Sequence, residues 1–152
     1  MMRRGSLPQQ TSENSAVLRR LAWFRYNLRR FLRFSERASR KHGVTPQQYF
    51  LLLGIAGFTG RGWATIGELA EFLQERHNAV VGLVQRAGQK GLVRKDQRGR
   101  DRRFVRVRLT RQGTKVLNSL ASLHLEEIKR MELDIGNALK AEPQIIKPAE
   151  GA

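Results

Sequence analysis

Thr65-Ile-Gly-Glu-Leu-Ala-Glu-Phe-Leu73, then Arg76-His-Asn-Ala-Val-Val-Gly-Leu-Val-Gln-Arg86, then Leu92-Val-Arg-Lys-Asp-Gln-Arg-Gly-Arg-Asp-Arg-Arg-Phe-Val-Arg-Val-Arg-Leu-Thr110 is the stretch that decides the fold. Thr65 stands as an N-cap with Glu68 three residues on, the pattern of a capping box. Ile66, Leu69, Ala70 and Leu73 give the helix that follows an inner face. Residues 74–76 make a turn. A second helix runs to about Lys90, with Val80, Leu83, Val84 and Ala87 inward. Arg76, His77, Asn78, Val81, Gly82, Gln85 and Arg86 then lie nearer the outside, and Gly91 closes the helix. Residues 92–95 and 103–109 alternate as strands do, with Val105, Val107 and Leu109 on one face and Phe104, Arg106 and Arg108 on the other. The polar segment between them has Gly99 at its tip, so the strands form a basic hairpin. Helix, turn, helix and hairpin in that order is a winged helix-turn-helix, which places its second helix in the major groove of DNA.

Outward from this stretch the pattern is helical. Thr45-Pro46-Gln47-Gln48 opens a helix with an N-cap threonine, a proline at the first helical position and a glutamine completing a second capping box. Tyr49, Leu52, Leu53 and Ala56 are its expected buried face. Gly57, Gly60 and Gly62 mark a loop, with Trp63 packed beneath it or stacking on a ligand. Thr110 caps a last helix whose stripe is Val116, Leu117, Leu120, His124, Ile128, Met131, Ile135 and Leu139. Pro143 stops that helix. On the N-terminal side, residues 16–42 form a long helix ended by Gly43, with Val17, Leu21, Phe24, Leu28, Phe31, Ser35 and Ala38 on one face. Arg30, Arg33, Arg37 and Arg40 repeat the same steps about half a turn away, either as a solvated face or as cations offered to an acidic ligand or phosphate. Such a basic amphipathic helix can also lie on a membrane. Residues 1–15 are expected to be a disordered arm and 141–152 a flexible tail. A chain of this length does not easily cover both long apolar stripes, and pairing with a second copy is the economical solution.

The fold class is therefore mainly α (α+β): a winged helix-turn-helix over residues 45–110 between long helices at 16–42 and 111–140. The 152 residues suffice for one domain with a real core, and the net charge of +16 implies a polyanionic partner. Residues 16–42 hold nine Lys or Arg against Glu36 alone, a net +8, and residues 94–111 hold nine against Asp96 and Asp101, a net +7. Residues 112–142 hold four against five acids, a net −1, so the charge is zoned. The absence of cysteine excludes disulfides, thiolate metal sites and thiol redox sensing. No apolar run approaches a membrane span. The first fifteen residues lack the apolar middle of a signal peptide, and a cytoplasmic location is expected. No Gly-rich phosphate loop and no recognised nucleophile setting is present, so no enzyme and no cofactor are expected. His124 and Glu127 stand at i, i+3, but a zinc site needs more ligands, and His124 is expected to pack in the stripe.

The chain resembles the MarR family of winged-helix transcriptional regulators. The matching run is Leu69-Ala70-Glu71 and Leu73, then Val80, Leu83-Val84-Gln85-Arg86, Lys90-Gly91-Leu92-Val93, Asp101-Arg102-Arg103, Val107-Arg108-Leu109-Thr110 and Gly113, with the spacing held across about 45 residues. Gln74 and Glu75 stand in the turn where the family often has glycine and an apolar residue. His77, Asn78, Val81 and Gly82 stand where Ser, Thr or Arg is usual. The base preference should be the chain's own. The resemblance implies a homodimer joined through the end helices, bound to a near-palindromic operator and released by a small aromatic or anionic ligand. For that ligand Trp23, Arg30 and Tyr49 are pocket candidates, against ordinary packing or surface. The resemblance also implies that Asp101 pins an arginine within the wing and stabilises its shape.

Within this frame Arg76, His77 and Asn78 begin the reading helix, where backbone N–H groups point at DNA. Asn78 suits adenine and Arg76 or Arg86 guanine, with phosphate or solvent as the plainer role of each. Gln85 completes the reading face, and Thr65 is expected to touch DNA from the preceding helix. Arg98, Arg100, Arg102 and Arg103 arm the wing, which suits a narrow minor groove. The expected function is a sequence-specific double-stranded DNA-binding transcriptional regulator, a ligand-released repressor acting as a homodimer on a near-palindromic operator. The alternative is a non-specific nucleoid- or RNA-associated basic protein.

Overall fold

The computed structural model describes residues 10–96 and 105–140, with side chains over 14–96 and 105–136. The elements run α1 (Gln10–Lys41), α2 (Pro46–Leu53), a π-helical turn (Gly54–Phe58), β1 (Trp63–Thr65), α3 (Ile66–Leu73), α4 (His77–Gln89), β2 (Val93–Asp96), β3 (Arg106–Leu109) and α5 (Arg111–Lys140). α1 begins six residues ahead of the expected start at Ala16. The chain divides into two compact units, one of residues 34–125 and one of residues 1–33 with 126–152.

The unit of residues 34–125 is built on a closed core. Leu51, Leu52, Ile55, Leu69, Val80, Val84, Val107 and Leu120 are fully buried in it. Both capping boxes form. Thr45 Oγ1 accepts from Gln48 N at 3.1 Å while Gln48 Oε1 accepts from Thr45 N at 3.0 Å. At α3 the distances are 3.2 Å from Glu68 N to Thr65 Oγ1 and 2.9 Å from Thr65 N to Glu68 Oε2. These reciprocal bonds satisfy N–H groups that a helix start otherwise leaves open. In α2 the buried side is Gln48, Tyr49, Leu51 and Leu52, continued by Ile55. Residues 48, 51, 52 and 55 follow the i, i+3, i+4, i+7 rule, so the stripe is displaced from the expected one and Leu53 is exposed.

The loop expected from Gly57 onward starts later. Gly54 and Gly57 belong to the π-helical turn, and Gly60 and Gly62, with φ of 71° and 75°, make the loop. Gly54 is required by packing, since a Cβ there would stand 2.6 Å from the Phe72 ring. After the loop comes a strand that the pattern did not announce. Trp63–Thr65 pairs antiparallel with β3, which also pairs antiparallel with β2, giving a sheet ordered β1-β3-β2. Three residues are too few to display a period of two.

One junction fixes the wing strands to α5. Thr110 N donates to Leu92 O at 3.0 Å, and Thr110 Oγ1 accepts from Gly113 N at 3.0 Å. A Cβ on Gly113 would fall inside the Leu92 carbonyl, so only glycine permits this approach. Further along α5, His124 is buried as expected. Its Nδ1 lies 2.7 Å from Leu120 O and its Nε2 2.8 Å from Ser35 Oγ. A carbonyl only accepts, so Nδ1 carries a proton and donates to Leu120 O. The Tyr49 ring stacks on the imidazole at 4.4 Å, and burial pushes the Tyr49 hydroxyl pKa up.

The unit of residues 1–33 and 126–152 differs. Among its described residues Asn27 is buried, with Nδ2 donating to Trp23 O at 2.9 Å. Val17, Leu18, Leu21, Phe24, Leu32 and Leu133 are each more than half exposed.

Candidate nucleic-acid interface

α4 follows α3 through a turn in which Gln74 adopts φ 53°, ψ 42°, the left-handed conformation that glycine adopts most easily. Gln74 N and Glu75 N return to Glu71 O and Ala70 O, which closes α3 tightly. The arrangement turns Val80, Leu83, Val84 and Ala87 into the core and leaves Arg76, His77, Asn78, Gln85 and Arg86 exposed, as expected from the sequence. Val81 and Gly82 are half-buried.

The start of α4 is chemically unlike its neighbours. Arg76 occupies the N-cap position with φ −70° and ψ 146°, and no side chain caps the helix. α2, α3 and α5 each have a threonine oxygen in that role. First-turn N–H groups without a cap, at the positive end of the helix dipole, are donors for an anion. Arg86 lies across the same helix. Its Nη1 is 3.2 Å from the point where a Gly82 Cβ would stand, so the missing side chain makes room for the guanidinium. Thr65 is placed differently from the other expected contacts: it is half-buried, and its oxygen is committed to the α3 cap.

The sheet presents a second cationic surface. The register sets Trp63, Arg108 and Arg94 side by side, and likewise Thr65, Arg106 and Asp96. Cross-strand neighbours share a face, so three arginines, one aspartate and a tryptophan are gathered there. Asp96 Oδ2 accepts from Arg108 Nε at 3.3 Å, which offsets the repulsion between Arg94 and Arg108. Two guanidiniums lie on Trp63, that of Arg61 at 3.8 Å and that of Arg106 at 4.4 Å from the ring centroid. Arg61 in turn donates to both Glu68 oxygens at 2.6 Å. The backbone N–H of Thr65, and then Arg61, hold the Glu68 carboxyl below the ordinary glutamate range. A polar chain thus runs from the α3 cap through Arg61 and Trp63 to Arg106 at the root of the wing. The wing-tip residues Arg98, Arg100, Asp101, Arg102 and Arg103 lie outside the described residues.

Sequence reasoning missed Arg61 and the role of Trp63, because the link depends on the short β1. It also missed Lys90, whose Nζ donates to Gly43 O and to Gln48 Oε1, each at 3.2 Å, tying the end of α4 to the start of α2. Of the pocket candidates, Tyr49 is core, stacked on His124. Trp23 stacks on Tyr26 with centroids 5.2 Å apart, and the Arg30 guanidinium lies 5.8 Å from the Tyr26 ring centre. Among the described residues no three His, Cys, Asp or Glu side chains gather to hold a metal ion. No helix among them is long and apolar enough to cross a membrane.

Residues 42–103 match the model of the MarR family. Over 73 residues the chain is 34% identical to the HTH-type transcriptional repressor MdtR of Bacillus subtilis (strain 168), a match covering 48% of this chain and 45% of that protein. The match therefore spans less than half the length of that relative. The fold of a MarR family transcription regulator of known crystal structure superposes with a TM-score of 0.71 at 21% identity, over 83% of this chain and 82% of that one. A mutant of MepR from S. aureus, bound to an oligodeoxyribonucleotide, superposes with a TM-score of 0.61 at 19% identity, over 77% of this chain and 93% of that one. The matched segment contains the helix-turn-helix and the start of the wing, and the likeness in fold extends over the flanking helices. Over residues 42–103 the chain is thus similar to the MarR family, and its fold is that of the MarR family winged-helix regulators on which it superposes.

Proposed function

We propose that this chain is a sequence-specific double-stranded DNA-binding repressor that acts as a homodimer on a near-palindromic operator in the cytoplasm. The observation that carries the proposal is the uncapped, exposed start of α4, in a fold that also gathers arginines on one face of its sheet. The N–H groups and Arg76 meet phosphate, Asn78 and Arg86 reach base edges, and the wing arginines Arg98, Arg100, Arg102 and Arg103 enter the adjacent minor groove. Residues 45–110 form the DNA-binding part, and the helices at 16–42 and 111–140 join two copies through their exposed apolar side chains. MdtR is a repressor, and the MepR mutant was captured on DNA, which supports the same partner here. Release by a small aromatic or anionic ligand rests on the family likeness.

The charge of +16 favours a second reading, a non-specific nucleic-acid binder. Fragments selected from the source genome, then titrated against random duplex DNA and duplex RNA, separate the two. The repressor prefers its selected site by orders of magnitude, and Asn78→Ala relaxes preference at one base pair by about 1–3 kcal/mol. Equal affinity for all three nucleic acids overturns the proposal.

A further inference from the structure

The N-terminal half of α1 carries a charge that the reading head does not use. Between Ser15 and Ser35 there are six arginines and no acid. Arg19, Trp23, Tyr26, Arg30 and Arg33 stand at i, i+4, i+7, i+11 and i+14 of one continuous helix, so they share a face. All three of these arginines are exposed, as are Arg20, Arg25 and Arg29 beside them. Arg25 with Arg29, Arg29 with Arg33, and Arg30 with Arg33 are like-charged neighbours at helical spacing, an arrangement that repels. Among the described residues one ion pair relieves them, Arg30 to Asp134 at 3.9 Å. The face is also stiffened: Trp23 stacks on Tyr26 within 15° of parallel, and the Arg30 guanidinium lies over Tyr26. An arginine already held on a ring loses less freedom when it meets a phosphate.

We propose that this arginine–aromatic face of α1 is a second nucleic-acid-binding surface, which grips the phosphate backbone of a duplex other than the one held by the reading head. From Arg19 to Arg33 the helix rises about 21 Å. One strand of a duplex presents a phosphate roughly every 3.4 Å along its axis, so the face meets several phosphates at once. Mixed cationic and aromatic character suits the backbone of any sequence, and nothing on this face selects bases. The face belongs to the unit that carries neither α4 nor the wing strands. A protein with both surfaces bridges two DNA segments.

The test uses the full chain with a selected operator on beads and a second, labelled random duplex in solution. The protein captures the second duplex, and the Arg19→Gln/Arg30→Gln/Arg33→Gln variant lowers capture at least tenfold while its operator discrimination stays intact. On long random duplex the slope of log affinity against log salt becomes shallower by about 2–3 per chain, near 0.9 for each phosphate contact removed. The corresponding lysine variant restores most of both effects, which a purely structural role of the guanidiniums would not allow. An Arg76→Ala/Asn78→Ala variant tests the reading head separately: it loses operator discrimination while the salt slope supplied by α1 remains. Absence of capture by the unaltered protein, or an unchanged slope in the glutamine variant, overturns the proposal. So does binding through these arginines to phosphatidylserine vesicles with none to the second duplex.

Discussion

The two units of this chain obey the same sequence rule and end differently. In the unit of residues 34–125, apolar side chains at helical spacing meet one another, and Leu51, Leu52, Ile55 and Leu69 are fully buried. In the other unit the stripe is as regular, yet Val17, Leu21 and Phe24 are each more than half exposed. Periodicity reports which face requires cover and is silent about what provides it. The head provides its own, because α2, α3 and α4, the adjoining parts of α1 and α5 and a sheet close over a short span of sequence. Among the described residues of the other unit Val17, Leu21 and Phe24 on the α1 stripe stay exposed, and a run of large exposed apolar side chains marks a surface for association.

The largest effect is expected where that cover is taken to come from a second copy. Leu21→Asp with Phe24→Asp places two carboxylates on the exposed stripe and leaves the head's core untouched. On the proposed dimer, sedimentation shows the variant as a monomer. Its operator affinity falls by at least ~100-fold, since two half-sites no longer gain from linkage. The midpoint of thermal unfolding of the unaltered chain rises with protein concentration, and that of the variant does not. A variant that remains dimeric with full affinity breaks the comparison, and the exposed stripe then serves something other than pairing.

Two glycines sharpen the contrast within a single helix. Gly113 and Gly136 both lie in α5. A Cβ on Gly113 meets the backbone carbonyl of Leu92, which cannot move without disturbing the wing junction, whereas a Cβ on Gly136 meets nothing within 4 Å. Gly113→Ala is expected to cost about 3–5 kcal/mol, in the range of overpacking with loss of a backbone tie. Gly136→Ala is expected to stabilise by about 0.5–1 kcal/mol through helix propensity. Denaturant titrations of the two variants measure both. A mild cost at Gly113 shows that α5 can shift on the wing, and the junction then is not the fixed point described above.

Much of the head was legible because its signals are local. Thr45 with Gln48 and Thr65 with Glu68 announce capping boxes, and Val80, Leu83, Val84 and Ala87 announce the inner side of α4. The exposed positions of the reading helix follow from those inner ones by geometry alone. What escaped is non-local or short. β1 has three residues, so its pairing with β3 is decided by the partner strand and not by its own pattern. The stack of Arg61 and Arg106 on Trp63 exists only once that pairing is made. The shift of the α2 stripe from Leu53 to Leu51 was invisible because residues 48, 51, 52 and 55 and residues 49, 52, 53 and 56 have the same helical spacing within one apolar run, so periodicity fits both. The uncapped start of α4 was equally invisible, since an absent cap is defined against the caps that its neighbours possess.

The smallest effect concerns how the head is held to itself by charge. Glu68 accepts from Thr65 N and pairs with Arg61, and these contacts lower its pKa below the ordinary glutamate value. The folded-state value thus lies below the unfolded one. The carboxylate's contribution is fully present above the ordinary glutamate value and is lost as pH falls through the lowered folded value. Glu68→Gln keeps a side chain able to accept from Thr65 N, as Gln48 does for Thr45, but removes the ion pair with Arg61. Because that pair is partly exposed, the loss at neutral pH should be under about 1 kcal/mol. The stabilities of variant and unaltered chain should converge as the solution is acidified below the ordinary glutamate range. Raising salt at neutral pH should narrow the same gap, since the part that remains is screened. Unfolding followed at low protein concentration keeps association out of the measurement. A gap that persists in acid shows that the stabilisation does not come from the carboxylate's charge, and the polar link from the α3 cap to the wing root then holds its shape without it.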